Sequence, residues 1–174
     1  MRKTYLLIDG YNVIYAWRTL DKWGGDMAAA RDELLTAAAD YSAYRDCRAI
    51  LVFDAPSAVG PSVEEVIGGV CVVFTSEEET ADSYIERSAY QLVRQGEEVF
   101  VVTSDATEQS VILGAGAYRI SAREWREMIA AAQKERRRKY QARPLGDRSE
   151  LGGRLSDEVL AKLEALRRAK QNKP

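Results

Sequence analysis

TYLLIDGYNVIYAW, Thr4–Trp17, carries an apolar run that stops in a carboxylate, a glycine and an asparagine. Tyr5–Ile8 lacks the alternation of a half-exposed strand, and a strand that is apolar throughout is covered on both faces. Ala49–Phe53 (AILVF), Val70–Phe74 (VCVVF) and Val99–Val102 (VFVV) repeat the pattern. Between them apolar residues recur at helical spacing. Met27, Ala30, Leu34, Ala38 and Tyr41 follow a cap at Asp26 and run to about Arg45; Ala81, Tyr84, Ile85, Ala89, Leu92 and Val93 mark a helix from Glu79 to Arg94, closed by Gly96. Buried strands alternating with helices predict an α/β three-layer sandwich around a mostly parallel sheet of about four to five strands.

The other segments carry weaker signals. The stretch after Asp9, through Trp17, Trp23, Gly24 and Gly25, reads as a loop. Residues 55–69 (APSAVGPSVEEVIGG) hold two prolines and three glycines and read as an irregular surface loop with at most one helical turn. A short helix is expected at about 108–113 and an edge strand at Tyr118–Ile120. Ser121 and Glu124 form a capping box for a helix that continues into KERRRKYQAR, Lys134–Arg143. Pro144 stops it. PLGDRSELGG reads as a linker, and Val159, Leu160, Leu163 and Leu166 mark a last amphipathic helix. The division is thus a body, residues 1–143, and a linker with a basic C-terminal helix, residues 144–174.

Composition narrows the chemistry. The 174 residues, 46% hydrophobic and 30% charged, suffice for one domain with a proper core and an appendage. Nothing approaches the roughly 18–20 apolar residues of a membrane span, and the run before Asp9 is too short for a signal peptide, so a cytoplasmic protein is expected. Cys47 and Cys71 stand alone and read as buried, reduced thiols. There is no histidine. That excludes Ser-His-Asp and Cys-His hydrolysis, HExxH zinc sites and paired-histidine ribonuclease chemistry. Hydrolysis here falls to carboxylates, most naturally through a hard metal ion. Residues 134–174 hold 13 Lys/Arg against 6 Asp/Glu, net +7, and residues 1–133 hold 12 against 21, net −9. The body is acidic and the tail basic.

Three strands end in aspartate: Asp9, Asp54 and Asp105. Ligands of open α/β sheets bind at the carboxyl ends of strands, so these groups are candidates to converge. Glu79 and Asp82, in ETADSYIE, open the helix after the third strand at the same edge. Clustered carboxylates repel unless a cation neutralises them, and Mg²⁺ or Mn²⁺, one or two ions, suits oxygen donors. Gly10 would let the backbone approach a phosphate. Each residue has a second reading. Asp9 also suits a turn with Gly10, Asn12 an Asx turn or helix cap, and Asp54 a turn before Pro56. Glu79 also suits a capping box with Ser76, Asp82 the helix dipole, and Asp105 an N-cap. In the basic stretch, Arg136, Arg137, Arg138, Lys139 and Arg143 suit either a solvated helix end or RNA phosphates, with Tyr140 available to stack on a base. Trp17 and Trp23 suit either the core or a single-stranded substrate. LGAGAY is no dinucleotide fingerprint, and no P-loop is present.

The set LLIDGYNVIYAW, ILVFDA, ETADSYIE and VVTSDATEQ, in that order, resembles the YacP-like group of NYN domains in the PIN-like nuclease superfamily, over about residues 3–165. The resemblance implies a metal-dependent endoribonuclease that cuts messenger RNA on the ribosome. It implies Asp9, Asp82 and Asp105 as metal ligands and Asn12 as the neighbour orienting Asp9, with Asp54 and Glu79 as further acidic positions. The acidic body sits awkwardly with free RNA as substrate. Two alternatives stay open: a non-catalytic RNA- or ribosome-binding module of the same fold, and a phosphoryl-transfer domain with aspartates at strand ends. Against the latter, the first motif is DGYN rather than a DxD string.

Overall fold

The computed structural model describes residues 2–54, 62–104 and 116–141. Two compact units divide the chain, Met1–Gln133 and Lys134–Pro174. In the first, six strands form one sheet: β1 (Thr4–Asp9), β2 (Arg48–Phe53), β3 (Val63–Ile67), β4 (Val70–Phe74), β5 (Glu98–Val102) and β6 (Tyr118–Ile120). Their order is β3-β4-β2-β1-β5-β6, and every pair is parallel except β3–β4. The helices are α1 (Gly10–Ala16), α2 (Thr19–Lys22), α3 (Met27–Arg45), α4 (Ala81–Arg94) and α5 (Ala122–Gln141), the last running from the first unit into the second.

Strand alternation sorts the core into two layers. Leu6 and Ile8 of β1, with Leu51, Phe53, Val70, Val72 and Val102, pack under α1, α3 and the start of α5 through Val13, Ile14, Ala30, Leu34, Ala38, Trp125 and Ile129. Leu7, Val52, Val73, Val99 and Val101 point the other way, onto Ala81, Tyr84, Ile85 and Ala89 of α4. This is the three-layer α/β sandwich the buried strands imply, with a sixth strand beyond the four to five expected.

The caps read from sequence form as expected at two helices. Asp26 accepts from the Ala28 and Ala29 N–H groups at 2.9 and 3.1 Å. Ser121 and Glu124 close a reciprocal box, Ser121 N–H donating to Glu124 Oε2 at 2.8 Å and Glu124 N–H to Ser121 Oγ at 3.2 Å. These bonds hold the Glu124 carboxyl below the usual range, Ser121's hydroxyl acting first.

Three expectations about secondary structure need correction. The loop expected over 55–69 contains β3, because Gly68 and Gly69, at φ +58° and +83°, make the two-residue hairpin whose twist suits antiparallel strands. The stretch after Asp9 is helical, as α1 and α2. And α4 starts at Ala81 with Thr80 as its cap, Thr80 Oγ1 accepting from Ser83 N–H at 3.2 Å; the Ser76–Glu79 box does not form. Cys47 and Cys71 are free and half-buried rather than fully buried. The expected helix at 108–113, the linker and the last amphipathic helix lie outside the described residues. No helix among the described residues is long and apolar enough to cross a membrane.

Tyr84 ties α4 to β3, its hydroxyl donating to Glu64 Oε1 at 2.9 Å. Burial and the Glu64 carboxylate both oppose the phenolate, so the Tyr84 pKa is pushed up to about 12. A value raised on folding means the neutral form stabilises the fold. Tyr84's contribution is therefore complete below about pH 10 and is lost as pH rises through about 12. An absorbance titration at alkaline pH should show a late-ionising tyrosine near pH 12 that is missing in Tyr84→Phe.

Candidate functional site

From β1 the chain moves outward through β2 to β4, then α4 carries it back across the sheet to β5, on the other side of β1. The connections leaving β1 and β5 thus diverge, and the crevice between their carboxyl ends is where a ligand fits in an open α/β sheet. Asp9 stands at that point. It is 7% exposed, and its Oδ1 accepts from the Asn12 N–H at 3.0 Å, capping α1. Asn12 reaches across the crevice, its own Oδ1 accepting from the Ser104 N–H at 2.8 Å. Ser104 Oγ in turn accepts from the Ala122 N–H at the start of α5, at 3.2 Å. One line of hydrogen bonds thus links β1, α1, the end of β5 and α5. The sequence reading singles out Asp105 in TSD and passes over Ser104; its adjacency to that aspartate is the one signal that could have found it.

Period-two alternation turns Asp9 to the α4 side, since Leu7 faces α4 while Leu6 and Ile8 face α3. Asp54 faces the same side, with its Oδ1 accepting from the Ala81 N–H at 2.7 Å. The turn expected with Ala55 and Pro56 lies outside the described residues. In register Asp9 lies opposite Val52, so Asp54 stands two residues further along the neighbouring strand, about 8 Å away between Cα atoms from standard strand spacings. Asp82 is exposed in the first turn of α4, next to the residue that Asp54 holds. Glu79 is engaged elsewhere. Its two oxygens accept from Arg87 Nε and Nη2 at 2.9 and 3.0 Å, and the carboxylate lifts the Arg87 pKa. Asp105 lies outside the described residues.

Asp9 and Asp54 offer hard oxygen donors with no histidine or thiol beside them, the chemistry that suits Mg²⁺ or Mn²⁺. Among the described residues no three such side chains gather closely enough to hold an ion. The donor set fits a divalent ion in kind.

Gly10 has a reason within the fold that the sequence does not show. Its φ is not positive, and a Cβ there would meet the Phe53 ring at 2.2 Å. The ring of Phe53 stacks on Phe74 at 5.4 Å and touches Tyr11 at 5.0 Å, forming an aromatic cluster on the α3 side of the sheet. Arg31 closes it, with its guanidinium 5.7 Å over Phe74 and Nη1 donating to the Tyr11 hydroxyl at 3.3 Å.

The two tryptophans are structural. Trp17 stacks on buried Trp125 at 5.2 Å and donates to the Ala122 carbonyl at 2.7 Å, fastening α1 to α5. Trp23 donates to Glu33 at 2.6 Å. Lys22 and then Trp23 hold the Glu33 carboxyl below its usual range. Trp17, Lys22, Glu33 and Arg126 line a cleft of about 670 Å³ away from the aspartates. In the second unit, Arg136, Arg137, Arg138, Lys139 and Tyr140 are exposed on α5, and Lys139 pairs with Glu135 at 2.8 Å. Arg143 lies outside the described residues.

This arrangement has known counterparts. The chain is 41% identical over 165 residues to the protein YacP of Bacillus subtilis (strain 168), covering 94% of this chain and 96% of that one. The crystal structure of Rae1 (YacP) from Bacillus subtilis superposes with a TM-score of 0.65 at 39% identity, over 95% of both chains. A point mutant of the same protein gives 0.64 at 36% identity, over 95% of this chain and 99% of that one. The model of the YacP-like NYN domain matches residues 6–168, Asp9, Asp54, Asp82 and Asp105 included. With near full-length similarity in sequence and in fold, the chain belongs to the family of YacP-like NYN domains, of the PIN-like nuclease type.

Proposed function

We propose that the protein is a divalent-metal-dependent endoribonuclease. The observation that carries the reading is Asp9, a buried carboxylate at the switch point of the sheet, linked through Asn12 to the residue beside Asp105. Asp9, Asp82 and Asp105 would hold one or two Mg²⁺ or Mn²⁺ ions, with Asp54 and Glu79 as further acidic groups. A divalent ion bound there supplies neutralisation of the carboxylates and a water acidic enough to attack a phosphodiester. The chain's own residues do the positioning. Asn12 locks the end of β5 against α1, so the ends of β1 and β5 keep a constant spacing. The Asp54 bond to Ala81 keeps the start of α4, and with it Asp82, at the same edge.

RNA phosphates are met by Arg136, Arg137, Arg138, Lys139 and Arg143, and Tyr140 stacks on a base. The body's charge of −9 repels a free polyanion, which favours an RNA presented by a larger particle. We take that RNA to be messenger RNA on the ribosome, in the cytoplasm. The test is cleavage of RNA by purified full-length protein, alone and with translating ribosomes. Mn²⁺-dependent cutting that stops with EDTA and falls at least about 100-fold in Asp82→Asn is expected. Cutting that persists unchanged in EDTA, or equally in Asp82→Asn, would sink the reading. Binding without cutting in any condition would favour a non-catalytic RNA-binding module.

A further inference from the structure

We propose that the outer edge of β3 accepts an extended, basic segment of a protein partner by strand addition. β3 ends the sheet. It pairs with β4 residue for residue, Val63 with Phe74 through Ile67 with Val70, and among the described residues nothing pairs with its other side. An edge strand presents unpaired N–H and C=O groups, and proteins ordinarily guard such edges with charged side chains, lysine above all, or with proline, a bulge or a covering element; here the guarding charges are both negative, Glu64 and Glu65. Val63–Ile67 (VEEVI) contains no lysine or proline, and its one-to-one register leaves no bulge. All five residues are exposed, with Val66 at 72%, Val63 at 58% and Ile67 at 40%. The edge is also held in place, by the Gly68–Gly69 hairpin on one side and by the Tyr84 bond to Glu64 beneath. An anchored edge strand with three exposed apolar residues and two carboxylates is a template for a further strand of opposite charge.

Charge selects the occupant. Pairing the whole strand antiparallel with a second copy sets Glu65 opposite its own symmetry mate, and parallel in-register stacking sets both glutamates on their counterparts. Like charges directly opposite destabilise a pair. Two bodies of net charge −9 add to the repulsion. A partner strand with β-branched residues opposite Val63, Val66 and Ile67, and lysine or arginine opposite Glu64 and Glu65, satisfies every position. The proposal does not depend on the nuclease reading, since β3 contributes no candidate catalytic residue.

The test is an NMR titration of the ¹⁵N-labelled full chain with the synthetic peptide TVVKKVT and its acidic counterpart TVVEEVT. The basic peptide should shift the β3 amides and slow their exchange, and Glu65→Lys should weaken it about fivefold or more while strengthening the acidic peptide. Glu65 makes no bond to Tyr84, so the hairpin anchor stays intact in that variant. No β3 response up to about 2 mM, equal response to both peptides, or shifts confined to other surfaces would overturn the proposal. Protection of β3 without peptide, growing with protein concentration alongside a dimer in ultracentrifugation, would overturn it in favour of a second copy.

Discussion

Asp9→Asn should abolish RNA cleavage and leave the protein folded. The two consequences separate because the side chain has two tasks that depend on different properties. As the cap of α1 it needs only an oxygen to accept the Asn12 N–H, and asparagine caps as well as aspartate. As a ligand of the proposed metal it would need its negative charge, which the amide lacks. Cleavage should fall by about 10²–10³-fold. The thermal midpoint should move by no more than about 2 °C, whereas Asp9→Ala, which loses the cap, should cost about 1 kcal/mol and roughly 3–5 °C. Cleavage rates beside thermal unfolding of both variants decide the matter. An Asp9→Asn protein that cuts RNA like the parent would reduce Asp9 to a helix cap.

The largest stability effect is expected at the next residue. Gly10→Ala puts a methyl group 2.2 Å from Phe53 Cε1 and 2.5 Å from Cδ1, distances at which something must move. Phe53 has nowhere to go. It is 1% exposed, stacked on Phe74 and in contact with Tyr11. Overpacking of this kind costs about 2–3 kcal/mol, or roughly 6–12 °C in the thermal midpoint for a domain of this size. The cause can be isolated. Phe53→Leu removes the clashing ring edge, so the double variant Gly10→Ala with Phe53→Leu should be more stable than the sum of the single losses by about 1 kcal/mol or more. If the two losses simply add, glycine at this position has another reason.

Much of this fold is legible in the chain because its strands are buried on both faces. Solvent contact imposes no alternation on AILVF, VCVVF or VFVV, and their boundaries fall within one residue of those observed. The long helices announce their ends through Asp26, the Ser121–Glu124 box and Gly96. The misses share a physical cause. β3 is exposed along its whole length, so VEEVI has no buried face to produce a pattern, and only the Gly68–Gly69 pair hints at a hairpin. α1 is only seven residues long, too short to show a helical period, and DGYN reads equally as a turn until the cap bond is seen.

The site divides along the same line. Residue chemistry alone leaves any hydrolysis by a histidine-free chain to its carboxylates, and the motif order identified the family. What only the tertiary structure decided is what each of those residues touches. Sequence cannot report that Asn12 holds Ser104, that Asp54 receives the Ala81 N–H, or that Arg87 occupies Glu79. It cannot report that a side chain at Gly10 would meet the Phe53 ring. Those contacts join residues 8 to 92 positions apart, or set a side chain against a neighbouring strand. Local preference encodes which residues can form a strand or a cap; the meeting of distant side chains is settled only when the sheet brings them together.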